Sequence, residues 1–190
     1  VNTSPGDIWF VNVNGDDVIN DFDRTVIGNP QPDFIFGFNN QFGYKNFDLS
    51  IFFQGSYGND IWNGVRVSHE GMESTYNQFT STLNRWNGEG SSNTMPRAIY
   101  ADPNRNNRAS TRWVEDGSYL RLKNLTFGYR FTQDWLKKIG AKSLRLYLRF
   151  DNLWTLTNYS GLDPEVGLWG LDYGIYPTSR VYMFGASVKF

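Results

Sequence analysis

The sequence has no cysteine and a single histidine, His69. The absence of cysteine excludes a disulfide scaffold and thiolate metal sites. Charge of neither sign dominates. The 18 Lys and Arg stand against 19 Asp and Glu, a net charge of -1. No nucleic-acid footprint is therefore expected. No apolar run reaches the ~18 residues of a membrane helix. Nor does an initiator Met or a basic-then-apolar leader precede VNTSPGD, so the expectation is a piece of something longer. What the chain has in quantity is aromatic residues: 15 Phe, 11 Tyr and 7 Trp, against a mean hydropathy of -0.51. So many rings on a polar average do not suit a packed soluble core.

The large apolar residues recur at every second position, the period of a β-strand. Phe34, Phe36, Phe38, Asn40 and Phe42 form one row, with Ile35, Gly37, Asn39 and Gln41 opposite. Phe47, Leu49, Ile51 and Phe53 oppose Asp48, Ser50, Phe52 and Gln54. Leu144, Leu146, Leu148 and Phe150 oppose Arg145, Tyr147, Arg149 and Asp151. In VYMFGASVKF, Tyr182, Phe184, Ala186, Val188 and Phe190 oppose Val181, Met183, Gly185, Ser187 and Lys189. In SYLRLKNLTFGYRF the phase changes: Leu120 and Leu122, with Tyr119, Arg121 and Lys123 opposite, give way to Leu125, Phe127, Tyr129 and Phe131. One extra residue near Lys123–Asn124, a β-bulge, repairs it. The spacing predicts strands near 33–43, 46–55, 117–131, 143–154 and 179–190. The long connections are 1–31, 56–113 and 155–178, while GYKN and TQDWLKKIGAK are short. Short and long connections alternate, which puts all the long ones on one side.

Alternation fits both a sandwich with its apolar row inward and a membrane barrel with that row outward. Three features favour the barrel. The strands run to about 9–11 residues, the length of a tilted membrane-spanning strand. Short turns on one side and long loops on the other is the asymmetry of such barrels. Phe42, Tyr44, Phe131, Trp135, Trp154, Tyr182 and Phe190 sit at strand ends, as interfacial girdles do. A few strands cannot close a barrel, and hydrocarbon does not tolerate open sheet edges. The expected fold is therefore all-β, with antiparallel strands forming the C-terminal segment of a transmembrane β-barrel, and residues 1–190 belong to one portion of it.

The stretches GNPQPDFIFGFN, YKNFDLSIFFQGSYGNDIWN, WVEDGSYLRLKNLTFGY, LRLYLRFDNLWTLTNYSGLDPEVG and FGASVKF resemble the C-terminal third of SusC/RagA-type TonB-dependent outer-membrane transporters. The resemblance covers nearly the whole chain, in order. It implies a 22-stranded barrel with an N-terminal plug, in the outer membrane of a Gram-negative cell. It further implies energy from TonB, contacted through the missing N-terminal part, and a SusD-like surface lipoprotein as lid. Cargo would be oligosaccharides or peptides. The terminal aromatic row (Tyr182, Phe184, Val188, Phe190) resembles the signal read by the barrel-insertion machinery. Other readings are another TonB-dependent barrel, such as a siderophore receptor, and a soluble carbohydrate-binding β-sandwich.

NVNGDDVINDFD reads as an oxygen-ligand loop for Ca²⁺. Asn12, Asn14, Asp16, Asn20 and Asp23 fall at EF-hand-like positions, and Val18 supplies its carbonyl. The family resemblance implies D-x-N-G-D-G-x-I-x-x-x-D here. Asn12 replaces the first Asp, Asp17 the turn-making Gly, and a short Asp23 stands where an EF-hand has its bidentate Glu. An Asx-turn loop without an ion fits equally well. Trp62, Trp86, Trp113 and Trp169 are candidate stacking surfaces for sugar rings, against a packing role for each. Ser68-His69-Glu70, Glu70/Glu73 and Asp163/Glu165 have residue types used in acid–base chemistry. A solvated histidine and a family turn at Asp163-Pro164-Glu165 explain them better, and no catalytic residue is assigned. Arg145, Arg149 and Lys189 on the lumen face either tune the pore or pair with Asp48 and Asp151, and pairing is the expectation. No enzyme activity and no cofactor other than the Ca²⁺ are expected.

Overall fold

The structure is a computed structural model that describes residues 3–190. The first two residues of the expected outer segment 1–31 lie outside the described residues. The chain divides into two compact units, each taken by itself.

One unit comprises Gln31–Asn59, Asp116–Glu165 and Ile175–Phe190. It is a five-stranded sheet whose strands lie side by side in chain order. The strands are β1 (Phe34–Tyr44), β2 (Phe47–Tyr57), β5 (Tyr119–Phe131), β6 (Ser143–Thr157) and β8 (Val181–Lys189), all antiparallel to their neighbours. The expected strands all form, and β2 and β6 run somewhat further than the alternation indicated. The first hairpin closes at Lys45–Asn46, where Lys45 takes a left-handed φ of 53°.

Residues directly opposite each other on neighbouring strands share a face. The register therefore tests whether the apolar rows are continuous. Phe42 faces Leu49, Leu49 faces Phe127, Phe127 faces Leu148, and Leu148 faces Phe184. Tyr44, Phe47, Tyr129, Leu146 and Ala186 make a parallel row nearer the hairpin end. On the other face, Gln41, Ser50, Thr126, Arg149 and Met183 line up in the same way. One face is thus an apolar band, interrupted at Asn40 opposite Ile51, and it lies open: Phe38 is 59% exposed, Phe42 57% and Phe184 71%. A sandwich would bury that band beneath a second layer.

The phase change in β5 is resolved as expected. Phe53 pairs with Leu122 and Phe52 with Asn124, so Lys123 is the extra residue against β2. Against β6, Leu122 pairs with Trp154 and Asn124 with Asp151, leaving Asn152 and Leu153 opposite Lys123. Asn152 absorbs this second irregularity with a φ of 51°. The two adjacent bulges return Leu120, Leu122, Trp154 and Leu156 to the apolar face.

The other unit comprises the segment ending at Pro30, Asp60–Glu115 and Val166–Gly174. Here the sequence carries no simple period, and structure appears that periodicity did not indicate. A three-stranded sheet of order β4-β3-β7 joins β3 (Asp60–Asn63), β4 (Val114–Asp116) and β7 (Leu171–Asp172). One short helix, α1 (Gly64–Glu70), follows β3 and is capped by the Asn63 side chain, which accepts from the Arg66 N–H. The expected long loop 56–113 is therefore a folded excursion. Among the described residues no helix is long and apolar enough to cross a membrane.

Candidate functional site

On the polar face of the five-stranded sheet, charges are arranged in pairs. Arg145 on β6 reaches across β5 to Asp48 on β2, with Nε donating at 2.9 Å and Nη2 making the second bond. The residue of β5 between them is Gly128, and any Cβ there would run into both charged heads. Glycine at this point is what allows a salt bridge to span two strand intervals. Arg149 pairs with Asp151 at 3.1 Å. The expected partners of both arginines are thus the observed ones. Lys189 makes no ion pair among the described residues.

Toward the long-loop end the face is dominated by Arg121. Its side chain is only 3% exposed. It donates from Nε to Thr155 Oγ1 at 2.9 Å, from Nη1 to Glu165 Oε2 at 2.9 Å and to Thr178 Oγ1 at 2.7 Å, and from Nη2 to Asp163 Oδ1. Asp163 in turn accepts from the Glu165 N–H, the Thr178 N–H and the Thr178 hydroxyl. Burial by itself would raise the Asp163 carboxyl. The Arg121, Thr178 and backbone donors outweigh it and hold the group at about 2. The Asp163-Pro164-Glu165 turn is therefore clamped to the wall by the buried Arg121 guanidinium, with Lys123 and Gln54 each reaching Glu165 at 3.4 Å. A polar cavity of about 390 Å³ adjoins the clamp, lined by Asn152, Thr155, Leu162, Pro177 and Arg180. Sequence reading placed Arg121 on the polar face and Asp163 in a turn but did not join them. The available signal was two acids flanking a proline in a loop that must return to a wall bearing an arginine.

In the other unit the centre is again ionic. Arg66 donates from Nε to Glu70 Oε2 and from Nη1 to Glu115 Oε1, both at 2.8 Å. Ser81 Oγ donates to the other Glu70 oxygen at 2.6 Å. Trp113 is completely buried beside this cluster, and its indole N–H donates to the Arg108 carbonyl. Arg112 stacks on that ring at 4.1 Å. Burial pulls the Arg112 guanidinium down to about 10, which leaves it charged at neutral pH.

The residues singled out in the sequence fall as follows. Trp113 packs the interior, and Trp62 and Trp86 are half-buried, Trp62 giving its backbone N–H to the Gly170 carbonyl. Trp169 is 81% exposed, the one member of the four presenting an open ring. His69 donates from Nδ1 to the Val65 carbonyl at 2.9 Å and stacks on Phe79. Glu70 is held by Arg66 and Ser81, and Glu165 by Arg121, so both candidate carboxylate pairs have a member committed to an arginine.

The Asn12–Asp23 loop is built from Asx turns. Asn12 Oδ1 accepts from the Gly15 N–H, Asn14 Oδ1 from the Asp16 N–H and Asp16 Oδ1 from the Val18 N–H. Asp23 closes it by accepting from Val13 and Asn20, and these bonds lower its pKa. Asp17, at the position expected to be glycine, sits at φ 62°. The donor set is all oxygen, which suits a hard cation. No group of three acidic, histidine or cysteine side chains converges among the described residues, so a cation here would rely on Asp16 and Asp23 with amide and carbonyl oxygens.

No family model matches the chain. TonB-dependent receptor P3 of Formosa agariphila is 39% identical over 99% of this chain and 19% of its own length. TonB-dependent receptor SusC of Bacteroides thetaiotaomicron is 29% identical over 100% of this chain and 18% of its own. Among solved structures, the RagAB peptide importer in its closed-closed state superposes with a TM-score of 0.75 at 26% identity, covering 87% of this chain and 18% of that one. In its open-open state the TM-score is 0.70, over 84% of this chain. The chain thus spans about a fifth of the length of the curated relatives it matches. With an apolar band on one face of its sheet, a polar wall on the other and relatives along its whole length, the chain matches a β-barrel segment of TonB-dependent receptors, SusC among them.

Proposed function

We propose that the receptor containing this segment is an outer-membrane importer of oligosaccharides or peptides. It is energised through TonB and closed from outside by a SusD-like lipoprotein. The observation that carries this reading is the simultaneous match, over nearly the whole segment, to SusC and to the RagAB peptide importer. The segment supplies lipid-facing wall, lumen wall and outer loops. None of its residues is given a catalytic role. Trp169 is the proposed stacking surface for a ring-bearing cargo. The test is uptake by cells with and without the receptor, supplied with labelled peptides, labelled oligosaccharides or an iron-siderophore. Dependence of peptide or oligosaccharide uptake on both the receptor and its lipoprotein is expected. Dependence of iron-siderophore uptake alone would replace this reading by a siderophore receptor.

We further propose that Asn12, Asn14, Asp16, Asn20, Asp23 and the Val18 carbonyl hold Ca²⁺. The ion would supply positive charge to a loop otherwise tied by Asx turns. A chelator should make the segment easier to cleave in the full receptor, and a double Asp16→Asn, Asp23→Asn variant should be cleaved equally with and without it. Equal cleavage of the unaltered protein in calcium and in chelator would remove the ion from the reading.

A further inference from the structure

The short-turn end of the five-stranded sheet carries a charge pattern that import does not explain. The two turns there, Gly43–Asn46 and 132–142, contain Lys45, Lys137, Lys138 and Lys142 against the single acid Asp134. The long-loop end of the same unit shows no such excess, with Asp33, Asp116, Asp163 and Glu165 against Arg180 in its connections. Lys137 pairs with Asp134 at 2.8 Å. Lys138 makes no ion pair among the described residues. Lys142 Nζ donates only to a main-chain oxygen, that of Phe190, at 3.1 Å. Lys45 lies against the Tyr44 ring at 5.3 Å.

Apolar groups accompany these cations. The 132–142 turn winds as a short 3-10 helix, Asp134–Ile139, ending at Gly140 with a φ of 74°. It buries Leu136 and Ala141 and leaves Trp135 46% and Ile139 62% exposed. Immediately inward on the apolar face stands an aromatic belt: Tyr44, Phe47, Tyr129 and Phe131, with Phe47 and Phe131 each against Tyr129 at 4.6 Å. From the hydrocarbon band outward the order is aliphatic and phenyl groups, then tyrosines and a tryptophan, then ammonium groups on flexible stems. That order matches the depth profile of a leaflet: acyl chains, interface, then headgroups.

We propose that the short-turn end is a docking surface for anionic phospholipid headgroups, with Lys45, Lys138 and Lys142 binding phosphate and Trp135 and Ile139 seated in the adjoining interface. A phosphodiester accepts charge-assisted hydrogen bonds from ammonium groups, and among the described residues none of the three lysines pairs with an Asp or Glu side chain, Lys142 being held by the Phe190 oxygen alone. A zwitterionic headgroup offers the same phosphate but cancels it with its own cation. The surface therefore discriminates by net charge.

The test uses the full receptor reconstituted in phosphatidylcholine vesicles with a trace of spin-labelled phosphatidylglycerol or spin-labelled phosphatidylcholine. The readout is the relative association of the two probes with the protein boundary. Phosphatidylglycerol should be preferred, and high salt should erase the preference. Lys45→Gln, Lys138→Gln and Lys142→Gln should each lower it on the order of two- to fivefold. Lys138→Arg should keep it, and Lys123→Gln, at the other end and paired with Glu165, should not alter it. The unaltered protein tests the idea without any variant, since absence of a salt-sensitive preference overturns it. So does a preference that survives loss of all three lysines. If the triple variant keeps its lipid preference but loses cross-linking to a soluble protein, the surface serves a protein partner and the proposal falls.

Discussion

Arg121 holds an otherwise mobile kind of sequence in place. The loop after β6 is rich in glycine and proline, and its ordering depends on few attachments. Asp163 is the principal one, and its carboxyl is held near 2 against an ordinary value of 3.8. A depressed carboxylate contributes stability that is present above its unfolded value and lost as pH falls through its folded one. The clamp should therefore be intact at neutral pH and weaken only between about pH 4 and pH 2, by about 2 kcal/mol. Removing the guanidinium is more severe, because it leaves a buried carboxylate without its counter-charge. Arg121→Ala should cost about 3–5 kcal/mol locally. Amide hydrogen exchange of residues 158–180 in the full receptor would read this. Exchange should accelerate in Arg121→Ala at neutral pH while β5 and β6 stay protected. Unchanged exchange would mean that the loop is ordered by something other than Arg121.

At the scale of the strand, the decisive fact is which face each residue meets, and the register sharpens the test of faces. Ser187 lies opposite Arg145, which lies opposite Arg130, so an added arginine there would join a cationic row. Val181 lies opposite Asp151 on the same polar face. Val181→Arg should therefore be accepted, whereas Phe184→Arg places a charge in hydrocarbon at a cost of about 2–4 kcal/mol near the midplane. The yield of heat-modifiable, surface-exposed receptor should fall for Phe184→Arg and hold for Val181→Arg. Equal damage from both would reverse the assignment of faces. The strands were legible because a period of two is local information: each residue announces its face through its neighbours. The bulge at Lys123 was legible for the same reason, since an extra residue shows as a slip in an otherwise regular pattern. Its counterpart at Asn152 was not, because Trp154 lies four residues after Phe150 and so keeps the same row, leaving no slip of phase to read. The folded excursion from Asp60 to Glu115 was illegible altogether. Its interior is organised by Arg66, Glu70, Glu115 and a buried Trp113, and a contact of long sequence separation such as Arg66–Glu115 leaves no period to read.

For the whole molecule the question is which end of the barrel faces the outside. Connectivity constrains it. The chain leaves β2 and re-enters β5 through some sixty residues, and leaves β6 for β8 through 158–180, at one end of the sheet. The other end holds only the Lys45–Asn46 hairpin and the 132–142 turn. Outer-membrane barrels keep short turns toward the periplasm and long loops outside. Protease added to intact cells lacking the proposed lipoprotein should therefore cut within 56–112 or 155–178. The open side chains of Tyr76, Tyr100, Leu168 and Tyr176, 77–86% exposed, are the nearest targets for a chymotrypsin-like enzyme. Lys45, Lys137 and Lys138 are equally good targets for a trypsin-like enzyme by exposure alone, so their survival would reflect the membrane and not the fold. Trypsin on intact cells should leave both short turns whole and cut them only once the outer membrane is permeabilised. Cleavage at Lys138 in intact cells would turn the barrel over. It would also move the lysine-bearing end to the outer leaflet, with the phosphate chemistry of that surface unchanged and its lipid partner exchanged.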